Sequence, residues 1–290
     1  MKKYWKIGVG TVDTNDSVRH TFIQHAGIVK SDDLDVTVAR TWFALADDDP
    51  RLSTVRRLAR ENSNIDLWEF PDTRFDRKDI AAAPYSFLGG LAWATRKSIE
   101  AGADFGTKYD MSHACRACGA GARQIGLLKV KPKELPKKQP WVRTYQGMLY
   151  HESFIAPLRE IKGFEKCIRP VEARKGGEQL PWYELISDYT MPRLSGQGIE
   201  RRDDPCQVCD RGDWWFAKEF KDLWYEDMDR AVDKLPPVCM TWECWTASYI
   251  FADDHKRYAP QGPVVCREIA LHMFDKVGED ALVVPLRFKG

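Results

Sequence analysis

The sequence predicts an α+β fold: two diverged strand-helix-strand repeat units joined by a site of four cysteines, with a mixed α/β region in front of them. Three observations carry this. Two Cys-x-x-Cys pairs lie far apart, at Cys115/Cys118 and Cys206/Cys209. Two segments, each following one of these pairs, align without a gap. The first 105 residues alternate strand-like and helix-like runs.

Residues 1–105 form the predicted amino-terminal region. Tyr4 to Val9 and Asp35 to Leu45 have the β-branched and aromatic content of strands. Leu52 to Glu61 and Arg77 to Glu100 read as helices, the second with Asp76 or a near neighbour as its cap and weakened by Pro84 and the Gly89-Gly90 pair. The acidic run Asp47-Asp48-Asp49-Pro50 reads as a solvated turn leading into the first helix.

Residues 106–290 form the predicted second domain. Gly147 to Val171 and Gly262 to Leu286 align at a constant offset, with Gly147 and Gly262, Gly163 and Gly278, and Pro170 and Pro285 in register. Each reads as a short strand, a helix of about three turns closed by glycine, and a second strand carrying proline. Each follows one Cys-x-x-Cys pair, so the region reads as a diverged tandem duplication.

Two such pairs can present four thiolates to one ion, and four soft ligands at tetrahedral corners are what a structural zinc site requires. Cys115, Cys118, Cys206 and Cys209 are therefore the predicted ligands of one Zn2+. Gly119 suits the tight turn after the first pair, whereas Asp210 stands at the same place after the second and tolerates a left-handed backbone less easily. A closed four-thiolate site has no open coordination position, so it holds the fold and performs no chemistry. Redox dithiols are the alternative reading. Cys167, Cys239, Cys244 and Cys266 sit singly in apolar stretches and read as buried small hydrophobes. His113, beside the first pair, reads as a surface residue, with a hydrogen bond to the site as the alternative. No His-Glu-x-x-His, phosphate loop, complete dinucleotide loop or nucleophile elbow occurs, so the protein is expected not to be an enzyme.

Lys plus Arg number 44 and Asp plus Glu 43, so no global field directs the chain to nucleic acid or an anionic membrane. Met1 to Asp13 lacks a signal-peptide pattern and no span is apolar enough for a membrane helix, which together with sparse cysteines predicts a cytoplasmic protein. Two local surfaces remain. Between Arg123 and Arg143, seven basic residues face Glu134 alone, a segment that reads as a solubilising loop or as a phosphate grip. Between Glu219 and Asp233, acids interleave with Phe220, Trp224 and Tyr225. Asp222, Trp224, Glu226, Asp227 and Asp229 are the candidate face for a basic partner, acids steering and aromatics holding. An amphipathic helix burying Phe220, Trp224 and Met228 is the other reading.

Cys115-Arg-Ala-Cys-Gly119, Pro205-Cys-Gln-Val-Cys-Asp210 and the terminal Val283-Val-Pro-Leu-Arg287 after a helix resemble the double-CXXCG motif family. These are bacterial paralogues that include immunity proteins of Sit-type toxins. The resemblance covers about residues 110–290; it departs from the family pattern at Asp210 and does not extend to the amino-terminal region. It implies a non-catalytic, cytoplasmic protein that binds and neutralises a cognate toxin domain. A zinc-ribbon nucleic-acid-binding or regulatory protein using residues 123–143 is the alternative.

Overall fold

The computed structural model describes residues 2–11, 16–32, 34–36, 40–90, 98–144, 147–197, 199–201, 206–211, 214–216, 222–244, 249–250, 257–258, 261–278 and 282–289. The chain divides into two compact units, Met1–Arg74 and Phe75–Gly290.

The first unit runs β1 (Lys2–Thr11), α1 (Asp16–His25), β2 (Asp35–Val36), β3 (Arg40–Ala46), α2 (Arg51–Glu61) and β4 (Ile65–Arg74). Its sheet has the order β2-β3-β1-β4 with every neighbouring pair antiparallel, the split βαβ arrangement. Alternation along the strands puts Ile7, Val9, Phe43, Leu45 and Ile65 on one face. They form a core with Phe22 and Ile23 of α1 and Leu52 and Val55 of α2. The strands expected at Tyr4–Val9 and within Asp35–Leu45 are present as β1 to β3, and α2 matches its expectation; residues 37–39 lie outside the described residues. The acidic run is more than a solvated turn. Asp49 and the distant Asp32 both pair with Arg51, at 2.7 and 2.8 Å, and hydrogen bonding to Arg51 holds the Asp49 carboxyl below its ordinary value.

The boundary between units falls after Arg74, not near residue 105, because the segment that follows belongs to the second unit's sheet. The helix expected over Arg77–Glu100 is α3 (Arg77–Ala82) alone. Of the candidate caps it is Asp76 that serves, accepting from the Lys78 and Asp79 amides at 2.9 and 3.0 Å while its own amide donates to the Asp79 carboxylate at 3.0 Å. Pro84 then drives its neighbours extended, and β5 (Tyr85–Gly90) follows. Residues 91–97 of the expected helix lie outside the described residues.

The remaining strands are β6 (Ser98–Ile99), β7 (Tyr109–Asp110), β8 (Arg123–Gln124), β9 (Leu128–Val130), β10 (Trp141–Thr144) and β11 (Gly147–His151). After α4 (Glu152–Ile155) come β12 (Ile168–Ala173), β13 (Gln179–Leu185), β14 (Ser195–Gln197), β15 (Ile199–Arg201), β16 (Trp214–Phe216), β17 (Asp222–Tyr225) and β18 (Val238–Cys244). Then follow β19 (Tyr249–Ile250), β20 (Arg257–Tyr258), β21 (Gln261–Cys266), α5 (Arg267–Val277) and β22 (Leu282–Phe288). One six-stranded sheet has the order β6-β10-β11-β13-β12-β9, the other β14-β17-β22-β5-β21-β18. Ala101, just past β6, bridges Val130 of β9, so one segment touches both ends of the first sheet; Thr190 bridges Met240 of β18 while β14 pairs with β17, doing the same for the second.

Both aligned segments are strand, helical turn, strand, but they are unequal. α5 is a regular helix burying Ile269, Ala270 and Met273, and Gly278 closes it at φ 79°. In the first segment α4 gives way at Ala156 to short 3-10 turns, Ala156–Glu160 and Phe164–Cys167, so the expected three-turn helix is absent. Pro157 explains this: proline supplies no amide to an α-helical ladder. The main core joins β5, β21, β22 and α5 with Tyr150, Phe154, Leu158 and Phe164, and a smaller one gathers Ile99, Leu128, Val130, Val142, Leu149, Val171 and Trp182.

Glu243 of β18 is fully buried: Oε1 accepts from the Leu194 amide at 2.7 Å, and Oε2 has no hydrogen-bond partner among the described residues. Burial raises its carboxyl above the ordinary 4.5, against the Leu194 bond and the charges of Arg193 and Arg211. A raised folded-state value favours folding most below the unfolded value, and that advantage is lost as pH climbs through the folded value. Glu243→Gln keeps an acceptor for Leu194 and is expected to melt higher than the parent at pH 7, with the gap closing below 4.5. A calorimetric pH series checks this; a lower melting temperature at pH 7 refutes it.

Candidate metal centre

Each Cys-x-x-Cys pair sits in a loop between two paired strands. β7 pairs with β8 around Cys115 and Cys118, and β15 pairs with β16 around Cys206 and Cys209. In the first loop the Gly119 amide donates to the Cys115 carbonyl at 2.8 Å, the Cys115 amide to the Ala120 carbonyl at 2.8 Å, and the Ala120 amide to Cys118 Sγ at 3.5 Å. Gly121 is required: at φ 91° it lies so close to the chain that a Cβ there would come 2.6 Å from the His113 carbonyl oxygen. The His113 side chain is exposed, as expected, and is not one of the clustered ligands.

The second loop repeats the turn with a different residue. The Asp210 amide donates to the Cys206 carbonyl at 3.1 Å, and Asp210 has φ 62°, the one positive value on a non-glycine among the described residues. The backbone conformation follows the knuckle; the sequence accommodates it with aspartate, which enters the left-handed region more readily than most residues. An exposed pair with Arg193 at 3.2 Å adds little. Asp210→Val, branched at Cβ, is expected to cost about 1–2 kcal/mol and to hasten metal loss to a chromogenic chelator, while Asp210→Gly stays near the parent. Equal release rates for parent and Asp210→Val would contradict this.

The loops bring all four ligand atoms within 4.8 Å of one another. Cys115 and Cys206 Sγ are 3.6 Å apart, Cys118 and Cys209 3.4 Å, and Cys206 and Cys209 3.6 Å. A disulfide requires about 2.05 Å, whereas a tetrahedron with metal-sulfur bonds of about 2.3 Å has edges of about 3.8 Å. The spacing therefore suits one bound ion, and the cluster could hold a metal. Burial opposes ionisation of Cys206, but the Cys209 and Val208 amides and the Cys118 and Cys115 thiols outweigh it and bring it down to about 7. Burial pushes Cys118 and Cys209 up, against the Ala120 amide at Cys118 and the Arg211 amide and Cys118 thiol at Cys209. A cation among the four sulfurs would relieve that conflict by favouring every thiolate at once.

Cys244, at the end of β18, is fully buried against this cluster, and its amide donates to the Arg211 carbonyl at 2.8 Å, tying the second knuckle to the larger core. Sequence reasoning missed that location, because the spacing in Cys239-Met-Thr-Trp-Glu-Cys244 gives no hint of it. Cys167, Cys239 and Cys266 are buried as expected, and desolvation pushes the thiols of Cys239, Cys244 and Cys266 up to about 12.

The proposed partner face is not brought into the metal centre. Asp222–Tyr225 is strand β17, so the amphipathic helix is not what forms: Leu223 and Tyr225 point inward and Trp224 outward. Trp224 Nε1 donates to Glu226, and Lys289 Nζ lies 3.6 Å from the Trp224 ring centroid. Tyr189 donates to Asp229, while Glu226, Asp227 and Asp229 are exposed. Residues 217–221, with Glu219 and Phe220, lie outside the described residues. In the basic segment, Lys129 pairs with Glu172 and Lys131 with Glu100 and Glu134, whereas Lys133, Lys137 and Lys138 are exposed.

No protein family, curated protein or solved structure matches the chain. No helix among the described residues is long and apolar enough to cross a membrane.

Proposed function

We propose that the protein is a non-catalytic binding module whose second unit is held together by one structural Zn2+, and that it acts as an immunity protein occluding a cognate toxin. The observation that carries the metal reading is the closed set of four sulfurs from two hairpins distant in sequence. An all-thiolate tetrahedral set selects zinc or iron among common ions, and four protein ligands leave no position for substrate.

The duplication reading is supported by strand order. In the first sheet β11 and β12 flank the antiparallel β13, with β10 and β9 outside them; in the second β21 and β22 flank the antiparallel β5, with β18 and β17 outside them. The outer pairings match in direction: β9 with β12 and β17 with β22 are parallel, β10 with β11 and β18 with β21 antiparallel. Two copies of one unit, the second completed by a strand from upstream, account for all of this.

The toxin-binding reading rests on the motif resemblance together with the exposed acids Glu226, Asp227 and Asp229 beside Trp224. Recovery of one stoichiometric protein partner from native cells, harmful when expressed alone, is the expected result of an affinity pull-down at moderate salt. Replacing Asp222, Glu226, Asp227 and Asp229 with Ser should weaken that capture about tenfold or more while leaving the melting temperature in place. Unaltered capture by this variant removes the acidic face from the reading.

A further inference from the structure

The first unit's sheet has a second face, away from its helices, that the metal centre and the proposed toxin contact leave unused. Alternation places Tyr4, Lys6 and Gly8 of β1, Arg40 and Trp42 of β3, and Trp68 and Phe70 of β4 there, because their neighbours Ile7, Val9, Phe43, Leu45 and Ile65 fill the core. Register aligns these residues in rows. Gly8 pairs with Trp42 on one side and Trp68 on the other, and Lys6 pairs with Phe70.

Gly8 shapes the face. A Cβ at that position would fall 2.5 Å from Trp42 Cζ3, so glycine is what allows the indole to lie across β1. Trp42 thereby reaches Phe70, with ring centroids 6.1 Å apart. Phe70 is 46% exposed in the middle of its strand. Cations are held over these rings: the Arg40 guanidinium 3.8 Å from the Trp68 centroid, Lys6 Nζ 5.7 Å from that of Trp42, and Arg74 4.5 Å from that of Tyr4.

We propose that this face binds single-stranded nucleic acid, with unpaired bases stacking on Trp42, Trp68 and Phe70 and the backbone following Lys6, Arg40 and Arg74. Four-stranded sheets of this βαββαβ order that present aromatic rings serve as platforms for two or three unstacked bases. The chemistry here agrees: π faces accept any base, and cations bordering them attract phosphates. A protein ligand is less well matched, since the rings are bordered by long cationic side chains, which can swing from a ring to a phosphate, and not by an apolar groove.

The test uses the full chain and fluorescein-labelled mixed-sequence oligonucleotides of roughly 12 nucleotides, as single-stranded RNA, single-stranded DNA and duplex. Single strands are expected to raise anisotropy, quench tryptophan emission, bind more tightly than duplex and weaken as salt rises. Trp68→Ala with Phe70→Ala should weaken binding about tenfold or more. Phe70→Leu, which keeps apolar bulk but lacks a π face, should weaken it with an unchanged melting temperature, and Phe70→Tyr should restore it. Lys133→Glu with Lys137→Glu and Lys138→Glu, on the basic segment of the other unit, should have no effect. Preference for RNA would show that the 2′-hydroxyl is read, and equal affinity that stacking and phosphate contacts suffice; both support the site. The proposal is overturned by an absence of binding at low salt, or by binding that survives Phe70→Leu and disappears in the triple lysine variant.

Discussion

Cys118→Ser is expected to release the metal and to abolish cooperative melting of the second unit. Serine is nearly isosteric and Cys118 is buried, so little packing is lost; what disappears is one thiolate of four. Structural zinc contributes on the order of 10–16 kcal/mol in small metal-dependent folds, and the total stability of a domain is about 5–15 kcal/mol. Losing most of the first term leaves nothing of the second. Cys167→Ala, deleting a buried thiol outside the cluster, is the control: it should cost about 1 kcal/mol as an ordinary small cavity and retain metal. The two variants are compared by calorimetry and by metal content after dialysis. If Cys118→Ser melts like the parent, the four-cysteine site does not hold the fold.

A chain beginning at Phe75 is expected to fold and bind metal, whereas one beginning at residue 106 is not. The longer fragment retains β5, which lies between β21 and β22 and pairs with both. Ile80, Tyr85, Phe87 and Leu88 are buried in the same core. At about 1.5–3 kcal/mol for each fully buried side chain, the four together contribute about as much as an entire domain's net stability. Removing them also strips both flanking strands of their ladder partners, leaving backbone amides and carbonyls to be satisfied by water or by aggregation. Circular dichroism and cooperative melting distinguish the fragments. Native-like melting of the 106–290 fragment would show that β5 is dispensable.

That second prediction marks where the sequence was misleading. From Arg77 to Glu100 the residues favour helix and Asp76 caps it, yet helix ends at Ala82 because Pro84 forces extended backbone and the core between β21 and β22 takes Tyr85, Phe87 and Leu88. Local propensity cannot report a strand pairing whose partners lie about 180 residues away. β4 escaped notice for a related reason: Ile65 to Arg74 contains Pro71 and scattered charges, and only pairing with β1 along its full length makes it a strand. α1 carries His, Arg and Gln among few apolar residues, so its buried stripe of Phe22 and Ile23 is narrow. The cysteine pairs, by contrast, were legible because their chemistry is local: two residues between thiols and a tight turn after them fix the knuckle whatever surrounds it. Even Asp210, the departure from glycine, adopts the backbone that its position demanded. What spacing could not convey was Cys244, packed against the cluster from a strand more than thirty residues beyond Cys209.

The most direct test of the account is the metal content of the full-length protein purified under reducing conditions without chelator, measured by inductively coupled plasma mass spectrometry alongside a thiol count. The account predicts one zinc per chain, released when a chelator and denaturant are added, with all eight cysteines then reactive as free thiols. Metal-free protein that is fully folded, or one whose Cys115, Cys118, Cys206 and Cys209 are paired as disulfides, would contradict it.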